Sequence, residues 1–98
     1  MSYSLIVRPA VIQDLARTVE EAQQKFGAGR ALVNEITTVF GKIRERPRRY
    51  PIVYDHVHRA LTSRFRFAVF FEIVEDRTEI VILAVLHQRG DPALWPKR

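Results

Sequence analysis

Residues 57–87, VHRALTSRFRFAVFFEIVEDRTEIVILAVLH, hold three runs of β-branched and aromatic residues separated by two polar breaks. Val57 to Thr62, Phe67 to Val74 and Glu79 to His87 each have strand length and strand composition. Glu75-Asp76-Arg77-Thr78 supplies the polar turn of a hairpin between the last two, and Ser63 to Arg66 joins the first two. Alternation along the middle run sends Phe67, Val69, Phe71 and Ile73 to one face and Ala68, Phe70, Glu72 and Val74 to the other. One face is a core face. Phe70 on the second face asks for a cover of its own, either a partner segment or the C-terminal tail with Leu94 and Trp95.

Upstream the period changes. Tyr3, Leu5 and Val7 alternate as a short strand, and Pro9 suits a first helical turn. Ile12, Leu15, Ala16, Val19, Ala22 and Phe26 then recur at steps of three and four with polar residues between them, which predicts an amphipathic helix. Gly27-Ala28-Gly29 supplies a helix stop and a tight turn. A second stripe, Leu32, Ile36, Val39, Phe40 and Ile43, runs until Pro47 ends it, with Ile36 and Phe40 expected in the core. Residues 48–56 read as a loop, and Gly90, Pro92 and Pro96 argue against a strand beyond Arg89. The predicted order is β-α-α-β-β-β. This is an α+β chain whose helical hairpin packs on one face of a mostly antiparallel sheet, with residues 1–98 forming one domain.

The 98 residues are 47% hydrophobic, enough for one core, and contain no cysteine. That excludes a disulfide framework, thiolate metal sites and a catalytic thiol. The longest apolar run, Ile80 to Leu86, is far short of a membrane span, and the N-terminus has no secretory core, so a soluble cytoplasmic protein is expected. No histidine pair shows metal-ligand spacing with a supporting carboxylate, and neither metal nor cofactor is expected.

Net charge is +5, but it is concentrated. Lys42, Arg44, Arg46, Arg48, Arg49, Arg59, Arg64 and Arg66 face only Glu45 and Asp55, a local +6. A cationic focus of this kind, rich in planar guanidinium forks, suits phosphate or an acidic protein partner. Composition alone fits a solvated helix end equally well. The phenylalanines among these arginines, Phe65, Phe67, Phe70 and Phe71, are better explained as core than as a base-stacking platform.

The element order, HRALTSRFRFAVFFEI at 58–73 and AVLHQRGDPALW at 84–95 resemble the RelE/ParE superfamily of bacterial toxin–antitoxin toxins. Pro9-Ala10, Asp14-Leu15 and Pro47 are similar to that family's opening helix and helix stop. The resemblance spans nearly the whole chain and implies a cytoplasmic toxin in a hetero-oligomer with an antitoxin. It leaves two activities open: RelE-like members are ribosome-dependent mRNA endonucleases, whereas ParE-like members poison DNA gyrase without nuclease chemistry. It also allows a non-toxic module that only binds an antitoxin. A ParD-like antitoxin would bring an acidic, amphipathic tail that folds on binding and complements the basic segment.

Cleaving RNA through its 2′-hydroxyl needs a base, an acid and cations around the phosphate. Where the RelE pattern resembled here has an arginine early in the middle strand, this chain has Ala68; Arg66 lies two residues earlier. Where that pattern has a tyrosine in the tail, this chain has Trp95, whose indole has no ionisable hydroxyl. Both departures favour the ParE-like reading. Were the chain a nuclease, Arg66, His87 and Arg89 would carry catalysis. His56, His58 and His87 keep acid–base chemistry open, pairing with Arg59 or Arg89 about a phosphate. The simpler reading has His87 cap a strand end and leaves His56 and His58 exposed. Under the ParE-like reading Arg46, Arg48, Arg49, Arg59, Arg64, Arg66, Arg89 and Trp95 are the candidate partner contacts, with antitoxin and gyrase as partners; in the alternative these are ribosome and mRNA.

Overall fold

The computed structural model describes residues 3–88. Strand β1 (Ser4–Val7) leads into helix α1 (Pro9–Phe26), which turns back as helix α2 (Gly29–Glu45). A 3-10 turn at Pro47–Arg49 leads to β2 (Ile52–Tyr54), β3 (Val57–Leu61) and β4 (Phe67–Val74), and a second 3-10 turn at Glu75–Arg77 leads to β5 (Glu79–His87). The sheet order is β1-β5-β4-β3-β2. β1 runs parallel to β5, and the other neighbours are antiparallel. This is the expected α+β arrangement, two helices packed on a mostly antiparallel open sheet.

The helical hairpin is set by its glycines. Gly27 takes the left-handed conformation at φ 63°, and its N–H donates to the Gln23 carbonyl at 2.9 Å while Ala28 N–H reaches back to Ala22 at 3.1 Å. The first is the bond of an αL helix cap, and the second adds to the closure of the end of α1. Gly29 follows with its N–H on Gln23 Oε1 at 3.0 Å; a Cβ there would stand 3.0 Å from the Gln23 side chain and 3.3 Å from the Val19 carbonyl. Any larger residue there would push Gln23 and the Val19 carbonyl aside by a few tenths of an ångström.

The α2 stripe packs as its period predicts: Leu32, Ile36, Val39 and Ile43 are buried, while Phe40 is half-buried against the same core. The α1 stripe is rotated from expectation. Val11 is buried with Leu15, Val19 and Ala22 packed beside it, whereas Ile12 is 54% exposed and Phe26 80%. At 100° per residue Val11, Leu15, Val19 and Ala22 share a face from which Ile12 is turned away. Phe26 keeps the angle but is the last residue of the helix, at the mouth of a groove.

Across the sheet, Ala60, Phe67, Val69, Phe71, Ile80, Ile82 and Val85 meet the helices. Val57, Ala68 and Phe70 form a second buried cluster on the other face, flanked by Val53, Tyr54, Leu83, Ala84 and Leu86. Phe70 therefore does take part in a second apolar layer, as alternation required. β5 changes parity within its length: Phe70 pairs with Ala84 but Phe71 with Ile82, so Leu83 is an extra residue in a bulge. The bulge is why Ile80, Ile82 and Val85 can share one face.

The connection read as a loop over 48–56 contains β2. Ile52 pairs with His58 and Tyr54 with Val57, around a turn in which Asp55 has φ 45°. Three residues are too few to show a period, so this edge strand is invisible in the sequence. At the other end, β3 stops at Leu61 rather than Thr62. Thr62 instead closes the next loop: its Oγ1 accepts the Phe67 N–H at 2.7 Å, and its own N–H donates to the Phe67 carbonyl at 2.9 Å.

Candidate interaction surface

The local +6 is spread by the fold over several places. Lys42 and Arg44 lie in the last turn of α2, where a cation meets the negative end of the helix dipole. Arg44 is committed to structure: its Nε donates to the Tyr3 carbonyl at 3.0 Å, and its own carbonyl accepts the Tyr3 N–H at 3.3 Å, tying β1 to the end of α2. Arg46 caps α2 and is exposed. Arg48 turns toward the β4–β5 turn and pairs with Glu75.

Arg49 and Arg64 come together with Lys42 around a groove of about 470 Å³ between α2 and the β3–β4 loop, also lined by Asn34, Tyr50 and Ser63. Each arginine is steadied by its chain neighbour, with the Arg49 guanidinium 5.7 Å from the Tyr50 ring centre and that of Arg64 5.1 Å from Phe65. At the floor Glu35 reaches up from α2. Its two carboxylate oxygens each accept a backbone N–H of the loop, from Arg64 and Phe65, both at 3.0 Å. Loop and groove are thus held by one carboxylate that sequence reasoning did not single out. The only signal available was an acidic residue standing beside Ile36 on the border of the apolar stripe.

Arg59 is on the opposite face of the sheet, opposite Phe70 in register, with its Nε buried and without a hydrogen-bond partner among the described residues. Arg66 precedes β4 rather than belonging to it. Its φ is 59°, its side chain is exposed, and its carbonyl accepts the Gln88 N–H at 2.7 Å. Arg89 and Trp95 lie outside the described residues.

His56 and His58 share one cleft, whereas His87 stands apart from both. His56 is exposed in the β2–β3 turn. His58 is 7% exposed, which corrects the expectation that it faces solvent. Its ring stacks on Phe71 at 5.1 Å and 13°, and its Nδ1 lies 2.8 Å from the Tyr50 carbonyl. A carbonyl can only accept, so Nδ1 carries the proton. His58 faces a small cleft of about 210 Å³ with His56, Arg48, Ile52, Ile73 and Glu75. His87 stands at the end of β5, edge-on to Phe67 at 5.2 Å. Since His58 lies opposite Phe71 and His87 opposite Phe67, they are two strands and four residues apart, roughly 16 Å by strand spacing. Among the described residues no group of three or more His, Asp or Glu could hold a metal ion. No helix among them is long and apolar enough to cross a membrane.

A second groove, of about 510 Å³, runs beside α1. Phe26, Leu32, Phe65, Phe67, Val85 and Leu86 form its apolar wall, and Asp14, Arg17, Glu21 and Lys25 form its rim. Arg17 and Asp14 pair across 2.8 Å on that rim. The chain therefore presents an apolar trough and a cationic one.

The sequence matches the family model described as the ParE toxin of the type II toxin–antitoxin system parDE over residues 5–92. The fold is similar to that of the toxin–antitoxin complex RelBE of E. coli at 8% identity, covering 90% of this chain and 99% of that one with a TM-score of 0.66. It is also similar to the complex RelBE2 from Mycobacterium tuberculosis, at 20% identity, 90% and 100% coverage and a TM-score of 0.64. The isolated E. coli RelE toxin superposes at 8% identity, 94% and 90% coverage and a TM-score of 0.68. At such identities the likeness is one of fold. Comparison with curated proteins finds no match.

Proposed function

Because this chain belongs to the ParE toxin family of type II toxin–antitoxin systems, we propose that it arrests growth by binding DNA gyrase, and that a ParD-like antitoxin holds it inactive. The observation that carries this reading is Ala68. At the position where the RelE pattern sets an arginine on the middle strand, this chain has a methyl group with 0% exposure inside an apolar cluster. Arg66 does not substitute for it. With φ at 59° and the strand beginning at Phe67, its side chain belongs to the loop end and not to the strand face. Of the acid–base candidates, His58 and His87 stand too far apart to act on one phosphate, and His58, which shares a cleft with His56, is 7% exposed with its Nδ1 on the Tyr50 carbonyl.

The two grooves suit an antitoxin segment of mixed character. The cations Lys42, Arg49 and Arg64 offer forks and point charges to carboxylates, and the trough beside α1 accepts an apolar helix face. The gyrase contacts on this reading are Arg64 and Arg66, in the loop before β4, with Arg89 and Trp95, which lie outside the described residues. The test sets two assays side by side with the purified chain. Gyrase trapped on cleaved DNA with ribosome-bound mRNA intact is the expected result. Toeprints showing specific A-site cuts, abolished by His87→Ala or Arg89→Ala, would replace it with the endonuclease reading. Antitoxin binding with neither activity would leave only an interaction module.

A further inference from the structure

Three cations in the groove between α2 and the β3–β4 loop are held in place without being spent on the fold. Lys42, Arg49 and Arg64 are exposed, and among the described residues none of them joins an ion pair. Arg44 and Arg48, by contrast, are taken up by the Tyr3 carbonyl and by Glu75. The three are positioned in advance of any ligand. The Arg49 guanidinium lies 5.7 Å from the Tyr50 ring centre and that of Arg64 5.1 Å from Phe65, while Lys42 stands in the last turn of α2. Glu35 is the one carboxylate among the lining residues, and both its oxygens already accept backbone N–H groups. Three cations against one carboxylate leave the groove at +2.

We propose that this groove seats the sugar–phosphate backbone of a double-stranded nucleic acid, contacted without regard to sequence while no antitoxin covers it. The lining selects this ligand. Besides the cations it offers Asn34, Thr38, Ser63 and Tyr50, the amide and hydroxyl groups that join arginine and lysine on phosphate oxygens. An acidic amphipathic peptide needs the apolar trough beside α1 as well, whereas phosphate contact is complete within this groove. A single strand would need aromatic faces on which its bases stack. Tyr50 and Phe65 pack against the core and carry guanidinium groups over their rings, so neither offers such a face. The inference does not depend on gyrase as the target, since it needs only the free groove and a duplex.

The test is binding of the purified full chain, without antitoxin, to a fluorescein-labelled DNA duplex of arbitrary sequence, followed by anisotropy. Contact by three cations should make the affinity fall about 40-fold between about 50 and 200 mM salt. Lys42→Ala, Arg49→Ala and Arg64→Ala should each reduce that fall to about 12-fold. Arg49→Lys and Arg64→Lys keep the charge and should stay near the unmodified chain, as should Arg77→Ala in the turn between β4 and β5; all should keep native far-UV dichroism. Failure to bind the duplex at the lower salt would overturn the proposal. So would a salt dependence that the three alanine variants leave untouched, which would place the contact on another surface. Capture of polyglutamate but not of the duplex, lost in the same variants, would overturn it in favour of an acidic protein segment. Single-stranded DNA bound about tenfold tighter than the duplex would overturn it in favour of base stacking.

Discussion

Replacing Glu35 tests whether a single carboxylate organises the cationic groove. Its two oxygens accept the Arg64 and Phe65 N–H groups at 3.0 Å each, linking α2 to a loop thirty residues downstream. A net hydrogen bond to a charged group contributes about 1.5–3 kcal/mol in favourable surroundings, but this site is exposed at Arg64 and half-buried at Phe65, so the lower part of the range applies. Glu35→Ala should therefore cost about 1–3 kcal/mol for the pair. Glu35→Gln keeps one acceptor oxygen and should cost about half as much. Urea denaturation would show a lower midpoint with an unchanged slope, since only a loop loosens in the native state. Hydrogen exchange would show the Arg64 and Phe65 amides losing protection before any strand amide does. A Glu35→Ala midpoint within about 0.5 kcal/mol of the parent, with both amides still protected, would refute the reasoning, because ordinary exposed substitutions fall within that range.

Three further outcomes follow from the packing and charge. Ile43→Ala, at a fully buried position between α2 and the sheet, should cost about 2–5 kcal/mol in the same denaturation assay. Phe26→Ala should stay within about 0.5 kcal/mol in the isolated chain while weakening antitoxin binding measured by calorimetry, since its ring is a wall of the apolar trough. Lys42→Ala, Arg49→Ala and Arg64→Ala should each slow antitoxin association and flatten its salt dependence in stopped-flow measurements; a rate indifferent to ionic strength in the unmodified chain would remove the electrostatic part of the docking.

The helical half shows which kinds of information one sequence carries. Leu32, Ile36, Val39 and Ile43 repeat strictly at steps of four, three and four, so the buried face of α2 is unambiguous. In α1 the adjacent apolar residues Val11 and Ile12 permit two stripes about 100° apart, and only the sheet beneath selects Val11. In the sheet, strands of five or more residues announced themselves, whereas β2 is three residues long and is recognisable only through its pairing with β3. The bulge at Leu83 is a property of two strands together and leaves no trace in one. Site residues follow the same division. The cationic excess is a composition and was visible; its partition depends on strand parity for Arg59 and on the turn and loop beside α2 for Arg49 and Arg64. Glu35 with the Arg64 loop and His58 with the Tyr50 carbonyl are pairings across the fold, which composition cannot express.

Ala68 connects the two faces of the sheet to the question of activity. Its neighbours Phe67 and Val69 face the helices, so its own side chain faces the outer cluster, where it is sealed together with Val57 and Phe70. An arginine there would place a guanidinium in an apolar layer, and an uncompensated buried charge typically costs about 3–5 kcal/mol. The outer face does carry one arginine, Arg59 opposite Phe70 on β3, but mid-β4 itself is apolar at Ala68. Arg64 and Arg66 stand in the loop before β4, where the proposed partner contacts lie. On the proposed reading, that placement suits contact with a large partner better than a pocket built around one phosphate.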